Sequence, residues 1–146
     1  MRLHDLYNDD EHLYCSIQFD AANQWLYATW QGYVPTPDAE RGAEAYLTEL
    51  RQRHCPGLLN DNSRIAGPWF DSTAWLEQIW APQAAELGLR YVAHVTPPDG
   101  FAASLDVAAR RPFGTQFELQ IFDDLTAAQD WLLRCYAAEK TPHRLA

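Results

Sequence analysis

The segment Gly57-Leu58-Leu59-Asn60-Asp61-Asn62 constrains the fold of this chain more than any other stretch. A short apolar run ends abruptly at three consecutive amide or carboxylate side chains, and helical patterns lie on both sides of it. Apolar runs in that setting are typical of the buried strands of an α/β sheet. The polar end of such a strand opens at the carboxyl edge of the sheet, where α/β folds bind ligands. The segment therefore predicts a fold class and the place of a site.

Asn60, Asp61 and Asn62 are the first candidate ligand-binding residues. Their oxygens could bind a cation, but the spacing of an EF-hand loop is absent because Ile65 stands where a ligand oxygen is needed. Asn and Asp side chains also hydrogen-bond nearby backbone and order the loop that follows a strand. Two interpretations stay open, a structural loop and a ligand contact, and we predict no metal site.

Size and charge exclude several classes of function. The chain has 146 residues, enough for one domain, and a hydrophobic fraction of 47% that supports a globular core. Its net charge of −9 repels phosphate backbones, so we expect no nucleic-acid partner. No apolar run approaches the ~20 residues of a bilayer span, and the N-terminus is too polar for a signal peptide. We expect a cytoplasmic protein without a membrane span or a cofactor.

Strand and helix periods alternate along the chain. Strands are predicted over residues 13–19, 25–34, from 58 onward, 89–95 and 117–121, with helices over 36–55, 71–87, 101–110 and from 124 onward. The order is β-β-α-β-α-β-α-β-α, which indicates a single α/β domain with a mostly parallel sheet of about five strands and an antiparallel N-terminal hairpin. Residues 1–12 are interpreted as a loose acidic leader, residues 13–139 as the domain and residues 140–146 as a C-terminal tail.

Local signals predict where the helices begin. Thr36 is expected to cap the first helix, with Pro37 in its first turn. Pro82 interrupts the second helical stripe, so we expect a kink or a restart with Pro82 as the first residue of a short continuation. Asp123 or Asp124 is expected to cap the last helix.

Four segments lie at characteristic places in this order of strands and helices. They are Leu59-Asn60-Asp61-Asn62, Gly67-Pro68-Trp69, Gly88-Leu89-Arg90-Tyr91 and residues 122–132, Phe-Asp-Asp-Leu-Thr-Ala-Ala-Gln-Asp-Trp-Leu. Together they resemble the SpoIIAA-like branch of the STAS family, whose domains include anti-sigma-factor antagonists and the tails of sulfate transporters. The resemblance spans residues 13–133. It implies a four- or five-stranded sheet covered by helices, and a role in regulation or in binding small apolar ligands instead of a defined reaction.

One family feature can be checked residue by residue, the phosphorylated serine of an Asp-Ser-Ser/Thr-Gly motif at a helix start. The nearest match is Asp71-Ser72-Thr73-Ala74, in which Ala74 replaces glycine. Residues 63–70 also separate the match from the strand that should lead into it. A phosphate at a helix N-terminus meets oriented N–H groups, so Ser72 and Thr73 are phosphorylation candidates for a switch. The alternative is that Asp71 caps the helix and both hydroxyls are ordinary first-turn residues.

Enzymatic activity is not expected. The sequence contains no Gly-x-Ser-x-Gly, no P-loop and no Gly-x-Gly-x-x-Gly. His94 lies inside a predicted strand between Ala93 and Val95, where a satisfied core or edge histidine is the ordinary interpretation. The enzymatic alternative is an acid–base couple of Asp61 and His94 at the carboxyl edge of the sheet.

Aromatic residues are the remaining signal. Trp69, Phe70, Trp75 and Trp80 follow the third strand, and Trp25, Tyr27 and Trp30 lie on the hairpin. Core packing explains such residues, but apolar pockets and dimer faces also favour Trp and Tyr. We therefore predict a non-enzymatic, STAS-like regulatory or binding module. It would bind a small apolar ligand or a protein partner through Trp69, Trp75, Trp80 and the three polar residues of strand 3, and a homodimer is compatible with the same surfaces.

Overall fold

A six-stranded sheet forms the middle of the molecule. A computed structural model describes residues 1–66, 73–109 and 116–140 of the protein. The strands are β1 (Arg2–Tyr7), β2 (Leu13–Asp20), β3 (Trp25–Tyr33), β4 (Gly57–Ala66), β5 (Tyr91–Val95) and β6 (Glu118–Phe122), and they lie side by side in that order. The pairs β1–β2 and β2–β3 are antiparallel, whereas β3 to β6 run parallel. The predicted α/β class and the antiparallel entry are confirmed, with one strand more than expected.

The additional strand is β1, in the segment that the sequence suggested was a loose leader. Residues 2–7 pair with β2, and the pairing shifts register twice, between Arg2 and His4 and between Leu6 and Tyr7. Those irregularities break the alternation of apolar and polar side chains by which a strand is recognised. The side chain of His4 also contacts Glu49 of the first helix at 2.7 Å, which ties the edge strand to the layer above it.

Helices cover both faces of the sheet. They are α1 (Thr36–Gln52), α2 (Thr73–Trp75), a π-helical turn (Leu76–Trp80), α3 (Ala81–Glu86), a 3-10 turn (Pro98–Gly100), α4 (Phe101–Ala109) and α5 (Leu125–Lys140). We call the three consecutive segments from Thr73 to Glu86 the α2–α3 helix. Among the described residues, none of these helices is long and apolar enough to cross a membrane.

The helix ends agree closely with the local signals. Pro82 lies in the first turn of α3, directly after the π-helical turn, as expected for a restart. The carboxylate of Asp124 accepts a hydrogen bond from the backbone N–H of Ala127 at 3.0 Å, so Asp124 caps α5. The prediction for Thr36 is wrong by one position. Pro35 occupies the N-cap, and Thr36 is already helical.

Opposite faces of the sheet carry different helices. Trp25, Gly57 and Tyr91 form one row across β3, β4 and β5, and this row faces α5, whose Tyr136 packs against Gly57. The next row, which includes Leu58, faces α1 and the α2–α3 helix. These two helical segments are joined by a hydrogen bond from the indole N–H of Trp80 to the carbonyl of Ala43 at 2.8 Å. We call the two sides the α5 face and the α1 face.

Strand β4 is central and longer than predicted. Leu58 and Leu59 are almost fully buried, at 2% and 0% exposure, as the apolar run indicated. The strand does not end there but continues to Ala66. The three polar residues therefore lie inside the strand and are largely buried, instead of standing at an open rim after it. Their side chains alternate between the two faces of the sheet.

Candidate functional site

A cavity of about 110 Å³ lies on the α1 face, between the sheet and the two helical segments above it. Its floor comes from β3, β4, β5 and β6, and its walls come from α1 and the α2–α3 helix. Trp30, Trp75, Trp80 and Phe117 contribute aromatic surface. Tyr33, which is 70% exposed, lies at the mouth, so the cavity reaches the surface.

A chain of hydrogen bonds crosses the floor of the cavity. The indole N–H of Trp30 donates to the hydroxyl of Tyr46 at 2.6 Å and to Oδ1 of Asn60 at 2.8 Å. The Tyr46 hydroxyl donates to the same oxygen at 2.8 Å. The other end of the Asn60 amide, Nδ2, lies 2.9 Å from Nδ1 of His94. Four side chains from three strands and one helix are thereby held in fixed positions.

The bonding pattern defines the tautomer of His94. An indole N–H can only donate, so the atom of Asn60 that receives it is the amide oxygen. The amide nitrogen of Asn60 must then face His94, and because it donates, Nδ1 of His94 is the acceptor and the ring proton lies on Nε2. Burial lowers the pKa of His94 to about 3, so the imidazole is neutral at physiological pH.

Asn62 lies beside this network with its carbonyl oxygen unused. Its side chain lines the cavity and is 6% exposed. Within the part of the chain that the structure describes, Oδ1 of Asn62 has no hydrogen-bond partner. A buried acceptor in that state costs about 1–3 kcal/mol. In a cavity that reaches the surface, a water molecule or a ligand can supply the missing donor.

An irregularity in the pairing of β3 and β4 decides which side chain follows Asn62 into the cavity. Thr29 pairs with Asp61 and Gln31 pairs with Arg64, so two residues of β4 oppose the single residue Trp30. An unbroken alternation from Asn62 would point Arg64 into the cavity. The extra residue shifts the alternation by one, and Ile65 lines the cavity while Arg64 is exposed.

The cavity consequently has little charge. Among its described lining residues, Glu40 carries a formal charge at neutral pH. His94, which also lines the cavity, is neutral. The phenol of Tyr46 is also neutral, since burial raises its pKa well above the ordinary value. The lining of the cavity favours uncharged ligands with a large apolar surface.

Four of the predicted ligand-binding residues meet in this cavity, namely Asn60, Asn62, Trp75 and Trp80. Trp69 lies outside the described residues. Asp61 is not part of the cavity. It aligns with Thr29 on the α5 face, and its Oδ1 accepts a hydrogen bond from the backbone N–H of Ser63 at 3.0 Å. That bond to nearby backbone is the kind of structural role that was the alternative for this triplet, although it lies inside β4 and not in a loop.

The enzymatic alternative needed Asp61 and His94 side by side, and the register separates them. His94 pairs with Asn60, whereas Asp61 pairs with Val95. Successive residues of a strand point to opposite faces, so the carboxylate and the imidazole lie on opposite sides of the sheet. The proposed acid–base couple is therefore wrong.

The phosphorylation candidates are not tested by the structure. Ser72 lies outside the described residues, and Thr73 is the first residue of α2, with a side chain that is also outside them. Phosphorylation at either position stays a prediction. Within residues 1–66, 73–109 and 116–140, no cluster of three or more His, Cys, Asp or Glu side chains is arranged to hold a metal ion.

Three residues of the site escaped sequence analysis as site residues. Trp30 was left open between core packing and a binding surface, and Tyr46 was not singled out, although together they hold Asn60. Gly42 was not singled out, yet a side-chain carbon there would collide with the Trp30 ring, so glycine is what lets α1 approach the indole. A glycine in the interior of a predicted helix was the available signal.

The fold can be compared with known proteins at this point. No model of a protein family matches the sequence, and a search of curated proteins finds no relative. A crystal structure of an uncharacterized protein of the DUF3478 family from Shewanella loihica PV-4, described as having a SpoIIAA-like fold, superposes with a TM-score of 0.55. The match covers 82% of this chain and 94% of that one, at 20% sequence identity. This chain has a SpoIIAA-like fold. At such low identity the likeness concerns architecture alone, so the function has to be argued from the cavity.

Proposed function

We propose that the protein is a non-enzymatic binding module that holds a small apolar ligand in the cavity on the α1 face. The single observation that carries the proposal is a cavity that reaches the surface, with apolar walls and one unused buried acceptor on Asn62. Binding sites for small molecules commonly combine large apolar surfaces with a few well-placed polar groups. The SpoIIAA-like fold agrees with a regulatory role for such a module.

The volume indicates the size of the ligand. An engineered cavity of about 150 Å³ in another protein binds benzene. A cavity of about 110 Å³ that is open at one end suits a single ring or a short alkyl chain whose far end reaches the mouth. Tyr33 at that mouth would then contact the part of the ligand that emerges.

The site is rigid enough to bind without first being assembled. Trp30 is fixed by two hydrogen bonds and by close packing over Gly42, and Trp80 is fixed by its bond to the Ala43 carbonyl. Side chains that are already immobilised lose little conformational entropy when a ligand arrives. This preorganisation supports a ligand site over a packing defect.

The first test blocks the cavity. Ala39 is a half-buried residue of α1 on the cavity wall, and Ala39→Phe would fill the space with a ring. The matched control is Ala138→Phe, at an exposed position of α5. Each protein is mixed with octanol, phenol or a lipid extract. For the wild type and the control, native mass spectrometry should show a retained ligand and thermal unfolding should show a raised Tm. Ala39→Phe should show no retained ligand and no change in Tm.

Two results would remove the proposal. One is that no ligand is retained by the wild-type protein from any of these mixtures. The other is that Ala39→Phe retains ligands as well as the control does, which would place binding elsewhere. A protein partner captured only by the wild type and Ala138→Phe would favour the alternative of a partner that docks at the same cavity.

A further inference from the structure

We propose that the cavity selects an uncharged ligand that ends in a hydrogen-bond donor, an alcohol or a phenol, whose hydroxyl donates to Oδ1 of Asn62. The inference rests on the proposed function and adds the chemical class of the ligand. It also predicts that the carboxylate of the same length is rejected. Two independent features of the cavity lead to it, the identity of its unused polar atom and the sign of its charge.

The unused atom is an acceptor. Oδ1 of Asn60 already accepts hydrogen bonds from Trp30 and Tyr46, and its amide nitrogen already faces His94. Oδ1 of Asn62 is a buried acceptor at the floor for which the described residues offer no partner. A carbonyl oxygen can be satisfied only by a donor, so an ether, a ketone or a carboxylate cannot fulfil this role.

The charge of the site disfavours an anion. A buried carboxylate needs a cation or several donors around it. The arginine of this strand segment, Arg64, is turned away from the cavity by the extra residue in β4, and the described lining residue with a formal charge is the acidic Glu40. An anionic ligand would meet a negative side chain at the wall and no positive one among the described residues.

A cationic donor fits less well than a hydroxyl. An ammonium group carries three N–H donors, and one carbonyl oxygen can satisfy only one of them at the floor. Its charge would also have to leave water for an apolar cavity. Because Glu40 on the α1 wall would attract such a cation, an alkylammonium is a test of the inference and not its first candidate.

The experiment compares ligands of equal length on the full chain. Isothermal titration at pH 7 with octanol, octanoate, octylamine and heptyl methyl ether varies only the polar end, since the ether is an isomer of octanol without an O–H. We expect octanol to bind at least about tenfold more tightly than each of the others, a ratio that corresponds to about 1.4 kcal/mol. Octanoate or octylamine binding as tightly as octanol overturns the inference and leaves the proposed function standing. If no ligand binds, the proposed function itself fails.

A variant separates the acceptor from the cavity. Asn62→Leu keeps a side chain of similar size and removes an unpaired polar atom, so the protein should fold. Its octanol affinity should fall about tenfold, and the ratio of octanol to heptyl methyl ether should approach about one, since a tenfold preference corresponds to one good hydrogen bond. Gln18→Leu, the same kind of change on the α5 face of β2, should leave the ratio unchanged. A preserved preference in Asn62→Leu overturns the inference.

The pH dependence of the acid gives a second readout. The titratable side chains around the cavity are Tyr33, Glu40, Tyr46 and His94. The imidazole of His94 and the phenol of Tyr46, which lie at the floor, stay uncharged between pH 6 and 8. The protonated fraction of octanoic acid rises about tenfold per unit as pH falls in this range. Its apparent affinity should rise in step, whereas that of octanol should stay constant. An octanoate affinity that does not change with pH contradicts the inference.

Discussion

The two faces of the sheet solve the same packing problem in different ways. On the α5 face, Tyr136 lies against Gly57 and forms an edge-to-face contact with Trp25 at 5.8 Å between ring centroids. On the α1 face, Trp30 also lies close to a glycine, Gly42, but beyond it the side chains leave a cavity of about 110 Å³. The packing on the α1 face therefore stays open at this cavity.

The difference lies in how far hydrogen bonds connect the side chains. On the α5 face, Tyr136 combines ring packing with a hydrogen bond from its hydroxyl to the carbonyl of Gln24 at 2.8 Å, and the apolar contact around it has no preferred direction and tends to close empty space. The floor of the α1 face is fixed by hydrogen bonds among Trp30, Tyr46, Asn60 and His94. Directional bonds can hold rings apart, so a polar network inside a core keeps the cavity from collapsing.

The strongest test of this comparison uses two neighbouring leucines that point to opposite faces. Leu59→Ala, on the α5 face, leaves a sealed void and should lower the free energy of unfolding by about 3–4 kcal/mol. Leu58→Ala, on the α1 face, only widens an existing cavity and should cost less, about 2 kcal/mol. Urea unfolding measures both. Octanol binding to the folded protein should be unaffected by Leu59→Ala and altered by Leu58→Ala. If both variants lose the same free energy of unfolding and bind octanol with the same affinity, the two faces do not differ.

A smaller effect is expected from His94, which belongs to the network on the α1 face. Its pKa is about 3 in the folded protein, whereas an unfolded histidine titrates near 6.5. Below pH 6.5 the unfolded state therefore binds a proton that the folded state does not, and stability falls as pH falls, by about 1.4 kcal/mol per unit, until pH approaches 3.

The measurement is urea unfolding at pH 7 and pH 5.5 for the wild type and for His94→Gln, which has no titrating ring. The wild type should lose about 1 kcal/mol more than the variant over this interval. The shared carboxylates cancel in the difference. An identical pH dependence in the two proteins would mean that His94 is not held neutral, and the hydrogen-bonded floor would lose its support.

Much of the fold could be predicted because buried strands and helices have recognisable apolar patterns in the sequence. Leu58-Leu59 indicated a buried strand, and Asp124 indicated the start of the last helix. Strand β1 could not be predicted, since two register shifts remove the alternation that marks a strand. The length of β4 was missed for a related reason. Asn60 and Asn62 lie inside the sheet because a hydrogen-bond network and a cavity receive them, and neither feature leaves a local pattern in the sequence.

The site was predicted only in part. Asn60, Asn62, Trp75 and Trp80 do line one cavity, and their binding of a ligand stays a prediction. The sequence could not say that Asp61 faces the other way until the register was known. The same holds for Arg64 and Ile65, whose orientations depend on one extra residue opposite Trp30. Which side chain enters a cavity is decided by pairing across strands, and that information is not contained in one segment of chain.

The most direct test uses the tryptophans as reporters on the two faces. Trp30, Trp75 and Trp80 line the cavity, whereas Trp25 and Trp131 pack on the α5 face against Tyr136 and Tyr91. Nuclear magnetic resonance of the indole N–H groups during titration with octanol distinguishes the sets within one molecule. We predict saturable shifts of the Trp30, Trp75 and Trp80 signals, with Trp25 and Trp131 unchanged. Shifts confined to Trp25 and Trp131, or no shifts at all, would contradict the account.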